Sequence, residues 1–173
     1  MCIRDSIWTW KDKELQPEQR INLEREKKRT FKAAYFVETS KCIQLGDTVV
    51  NDIRTIQKGN GSLALGIDPS PYKLQSSWTG DANADYYLIE SATGSKRLMV
   101  KNKSIVILSP CGNYVVWYDP LDRCYYSRST NVSSSEIVNL SNKIPVSLSD
   151  ERWDRQAYPN VHQIKKQEFC CLD

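Results

Sequence analysis

The chain repeats itself, and that repeat restricts what it can fold into. Residues 56–69, IQKGNGSLALGIDP, return 51 positions later as residues 107–120, ILSPCGNYVVWYDP. Gly61 maps to Gly112, Leu63 to Tyr114, Leu65 to Val116, Ile67 to Tyr118, and Asp68-Pro69 to Asp119-Pro120. Further on the offset shortens to 39, with Tyr86-Tyr87 mapping to Tyr125-Tyr126 and Leu98 to Ile137. One length difference of 12 residues, between Pro69 and Tyr86, reconciles the two offsets. A period of roughly 40–50 residues built from short strands marks a propeller-type array, whose units bury their faces by stacking on one another.

A whole propeller takes about 4–8 four-stranded blades. At 173 residues the chain has room for two such units and part of a third. The expected fold is all-β: a partial β-propeller of about two four-stranded antiparallel blades plus a partial third, with one short surface helix. Residues 1–6 read as an artefactual leader and 7–48 as the partial blade with the inserted helix. Residues 49–102 and 103–143 read as blades, and 144–173 as linker and doubtful tail.

Local chemistry supports these divisions. Residues 7–10, IWTW, are β-branched and aromatic and read as the end of a strand. Pro17 and Glu18 suit the first turn of a helix, whose few apolar residues, Ile21 and Leu23, leave it weakly anchored. Residues 30–37 and 41–45 read as the last hairpin of a blade, because Tyr35-Phe36-Val37-Glu38 echoes Tyr87-Leu88-Ile89-Glu90. In each full unit a sharp turn is expected at the recurring glycine, Gly61 or Gly112. The apolar run YVVWY fits a strand covered on both faces, and the Asp-Pro after it ends the strand because Pro cannot donate to the ladder. Residues 69–84 read as a long loop, and 131–135 as the turn that closes the last hairpin.

LSPCGNYVVWYDP resembles the S-P-D-G-K strand–turn–strand repeat of bacterial propellers, with Cys111 in place of the usual polar residue. The ordered set IWTWKDKELQPEQR, LALGIDPSPY, the W-T-G-D loop, LSPCGNYVVWYDP and IPVSLSDERWD resembles the N-terminal propeller region of large prolyl-oligopeptidase-family serine peptidases, of the dipeptidyl-peptidase-like kind. The likeness spans residues 7–154. It implies a parent that hydrolyses peptides by acyl transfer in an α/β-hydrolase domain, in the periplasm or outside the cell, with the propeller gating substrate access. The partners so implied are the remaining blades, the hydrolase domain and the parent's peptide substrate. The alternative is a stand-alone propeller binding module, TolB-like or an interaction scaffold, with no hydrolase.

The residues themselves carry no catalytic arrangement. No G-x-S-x-G elbow occurs, and the sole histidine is His162, whereas a triad needs nucleophile, base and orienting acid together. No catalytic, cofactor or metal residue is assigned. The six cysteines include no C-x-x-C pair. Residues 59–64 fit G-x-G-x-x-A, but a strand follows where a dinucleotide site needs a helix. The net charge is only +3, with Lys and Arg concentrated between Lys11 and Lys32, so nucleic acid is not an expected partner. Nor is a membrane, since no apolar run approaches the length of a span. Asp150, Glu151 and Asp154 read as a charged linker. The candidates for ligand contact are Tyr72, Trp78 and Asp81, in the longest loop within a repeat, where function concentrates. Packing against a neighbouring blade is the competing reading of all three.

Overall fold

A computed structural model describes residues 11–12, 14–131, 136–145 and 148. The expected strand at 7–10, most of the turn at 131–135, the acidic residues Asp150, Glu151 and Asp154, and His162 lie outside them.

Three antiparallel sheets follow one another along the chain. The first is a hairpin of β1 (Ala33–Phe36) and β2 (Lys41–Gln44). The second is a four-stranded meander of β3 (Asp52–Thr55), β4 (Leu63–Asp68), β5 (Ala84–Glu90) and β6 (Lys96–Lys103). The third repeats it with β7 (Val106–Leu108), β8 (Tyr114–Asp119), β9 (Cys124–Ser129) and β10 (Ile137–Asn139). The architecture is all-β and partial-propeller-like. Helix α1 (Gln16–Lys27) buries none of its residues, and Ile21 is 82% exposed.

The stack is held by two cores, one between each pair of neighbouring sheets. Alternation along β4 splits its side chains between them. Leu65 and Ile67, with Tyr86, Leu88 and Met99, meet Val106, Leu108, Val115 and Trp117 of the third sheet. Ala64 and Ile89, with Val50 and Ile53, meet Ala34 and Ile43 of the hairpin. The middle sheet is therefore covered on both faces, as a blade between two neighbours must be.

Register shows that the two meanders are copies. Ile67 pairs with Tyr86 as Tyr118 pairs with Tyr125, and Leu65 with Leu88 as Val116 with Ser127. The offsets of 51 and 39 hold across that central pair. The outer strands correct the sequence alignment. Ile107 pairs with Val116 as Arg54 pairs with Leu65, so Ile107 answers Arg54 and not Ile56. Asn139 pairs with Tyr126 as Leu98 pairs with Tyr87, so Leu98 answers Asn139 and not Ile137. The cause is turn length, since each outer strand is reached through a connection that differs by two residues between the copies.

The two corner glycines serve different ends. Gly112 sits at φ 78°, which side chains with a Cβ rarely adopt. Gly61 has no positive φ, but a Cβ there would stand 2.4 Å from Ile56 Cγ1. Left-handed backbone in the β3–β4 corner falls instead on Gln57, Lys58 and Gly59, in a 3₁₀ turn. Ile56 is the shared object: its Cδ1 would lie 3.2 Å from a Cβ at Gly112. In the following turn Cys111 is disulfide-bonded, while Cys42 and Cys124 are free thiols.

Candidate functional site

The segment expected to be a long loop contains a second helix, α2 (Lys73–Thr79). Gly80 ends it at φ 78°, its N–H donating to the Ser76 carbonyl at 2.8 Å. This helix lies between Tyr72 and Asp81, so the three candidates are held in different settings. Of the three, Asp81 alone lines the cleft between the second and third sheets.

Tyr72 precedes α2 and has a structural task. Its hydroxyl donates to Asp85 Oδ1 at 2.7 Å, and the Asn102 backbone N–H donates to the same oxygen at 3.0 Å. Asp85 is buried and lies opposite Asp68 in the β4–β5 pair. The hydrogen bond to this carboxylate, then desolvation, push the Tyr72 hydroxyl up to about 12. Tyr72 thus fixes where α2 leaves the sheet. Trp78 lies on the far turn of α2 and is 81% exposed.

Asp81 does reach a cavity. A cleft of about 400 Å³ opens between the second and third sheets. Asp81 and Asn83 line it from the segment after α2, Asn102 and Lys103 from the end of β6, and Asp119 from the end of β8. Lys103 and Asp119 face each other across the two sheets at 2.5 Å, both largely shielded. The second Asp119 oxygen accepts the Leu121 N–H at 3.1 Å. The cleft wall thus offers one ammonium already paired with a carboxylate, together with two carboxamides.

The Asp-Pro motif explains how this wall is built. Asp68 Oδ1 accepts the Ser70 N–H at 2.9 Å, in the geometry that Asp119 repeats with Leu121. The aspartate folds the chain back two residues on, while proline sets φ between them. Proline's lack of an N–H is only part of why the strand stops here. Sequence reasoning found the motif twice but missed Lys103, Asn83 and Asn102. No local signal marks Lys103, because its partner Asp119 belongs to the adjoining repeat.

Among the described residues no group of three His, Cys, Asp or Glu could hold a metal ion. No described helix is long and apolar enough to cross a membrane. No protein-family model matches the chain, and no curated protein shows significant similarity to it.

Proposed function

We propose that this chain is a non-catalytic propeller segment of a prolyl-oligopeptidase-family serine peptidase, in which it serves as scaffold and gate for peptide substrates. The observation that supports this reading is the pair of meanders in matching register, stacked through one continuous core. Such modules present a rigid wall with loops at its end, which suits the screening of substrates by size. The motifs LSPCGNYVVWYDP and IPVSLSDERWD add the link to this family. The parent would act in the periplasm or outside the cell, with the hydrolysis carried out by an α/β-hydrolase domain.

The test is to express the longest reading frame that contains this segment. The frame should carry a G-x-S-x-G followed by Asp and His. Its product should take up a fluorophosphonate probe and cleave short proline-containing peptides, while the 173-residue chain should do neither. A frame with blades only would overturn the peptidase reading.

A second reading is a stand-alone binding module. The cleft beside Lys103 and Asp119 favours it, because it is built from two neighbouring sheets and so belongs to the propeller itself.

A further inference from the structure

The cleft between the second and third sheets is walled by the connection in which the two copies differ most in length. Asp85 follows Asp68 by 17 residues, whereas Cys124 follows Asp119 by 5, a difference of 12. Insertions in repeat folds fall on one face, which is often the binding face. This insertion is firmly rooted. One carboxylate, that of Asp85, accepts both the Tyr72 hydroxyl at the start of α2 and the Asn102 N–H near the end of β6. Asn102 is held there in left-handed backbone, at φ 52°, which asparagine tolerates better than most residues.

The lining has a definite chemical character. Lys103 and Asp119 neutralise each other, and the Leu121 N–H holds Asp119 in place. With Asp81 the cleft carries two carboxylates against one ammonium, so it does not suit an anion. The ion pair does not follow from the repeat, since Asp68, the counterpart of Asp119, makes none among the described residues. Among the described residues no hydrogen bond engages the carboxamide of Asn83 or Asn102, and each offers both donors and an acceptor. Ile105, Pro120 and Leu121 add apolar surface, with Leu121 90% exposed. All these groups come from strand ends and connections, so the cleft presents no free strand edge to an extended peptide.

We propose that this cleft binds a neutral, hydroxyl-rich ligand of the saccharide class, a mono- or disaccharide for its volume of about 400 Å³. A sugar hydroxyl both donates and accepts, which matches the two carboxamides. The C–H face of the ring rests on Ile105, Pro120 and Leu121. The inference deepens the binding-module reading and rests on it. The cleft lies between the two complete sheets, so blades stacked beyond them leave it in place.

Isothermal titration calorimetry on the full 173-residue chain tests it, with cellobiose, lactose and N,N′-diacetylchitobiose as probes and inorganic phosphate and tetra-alanine alongside. At least one disaccharide should saturate with a Kd of about 1 mM or below. Asn83→Ala and Asn102→Gly each remove one carboxamide, and glycine keeps the left-handed backbone. Each should raise that Kd about fivefold, as the loss of one hydrogen bond requires, with circular dichroism unchanged. Parent affinity retained in both variants overturns the site. Binding of phosphate or tetra-alanine alone, weakened by the same two variants, overturns the saccharide class and leaves the binding-module reading standing. No binding by any probe overturns both.

Discussion

The Thr130 hydroxyl donates to the Gly112 carbonyl at 2.7 Å, tying the end of β9 to the corner that opens β8. The Thr130 N–H bonds the Asn113 carbonyl at 2.9 Å. In the preceding sheet Ser91 does the same, its hydroxyl reaching Gly61 at 3.1 Å and its N–H reaching Ser62 at 2.8 Å. A hydroxyl residue thus locks the same corner in both copies, and both pairs obey the repeat offsets.

Replacing Thr130 with Val keeps its shape and removes the hydroxyl. The Gly112 carbonyl loses its bond, which should cost about 1 kcal/mol. Ser91→Ala should cost less, because its bond is longer and Ser91 makes only one. Thermal melting of the two variants would show the order.

Gly66 lies where the middle sheet meets the hairpin side of the stack. A Cβ there would stand 2.5 Å from Val50 Cγ1 and 2.8 Å from Ile89 Cδ1. Gly66→Ala should destabilise by about 1–3 kcal/mol through overpacking. Adding Val50→Ala makes room, so the double variant should lose less than the sum of the two single losses in denaturant unfolding.

The raised Tyr72 pKa has a defined consequence for alkaline stability. A phenol whose folded-state pKa exceeds its unfolded value stabilises the fold fully below that unfolded value, about 10. The contribution then fades as pH climbs through the folded value, about 12. Tyr126 behaves alike through its hydrogen bond to Asp122, also reaching about 12. Tyr72→Phe should flatten the loss of stability between about pH 10 and 12. Phenolate absorbance should show one late-titrating tyrosine fewer.

Asp119 combines an ion pair with a turn. Asp119→Asn keeps an oxygen for the Leu121 N–H and loses the charge opposed to Lys103. Asp119→Ala loses both, and should be the more destabilising by about 1 kcal/mol, the value of one hydrogen bond. Chemical unfolding of the two variants would separate the contributions.

Much of the fold was legible because the repeat is written in strand-forming residues. The central pair β8–β9 and its copy β4–β5 could be placed within a residue or two. Helix α2 could not. Its Leu74 and Trp78 lie one turn apart but both face solvent, so no apolar stripe marks it. It is also shorter than a helix that stands on propensity alone. The site was less legible still. Tyr72 was singled out as a candidate for ligand contact, but its bond to Asp85 could not be read, because that carboxylate comes from the next strand. Lys103 was invisible, since its partner Asp119 lies in the adjoining module.

What the sequence determined by itself is the period, the corner glycines, the Asp-Pro stops and the apolar strands, all of them local preferences of backbone and side chain. The tertiary structure decided which face of each strand meets which neighbour, how turn length shifts the outer strands by two residues, and which charges close the cleft. Those follow from stacking: a side chain's partner across two sheets is set by the packing of whole modules, which no short stretch of chain encodes.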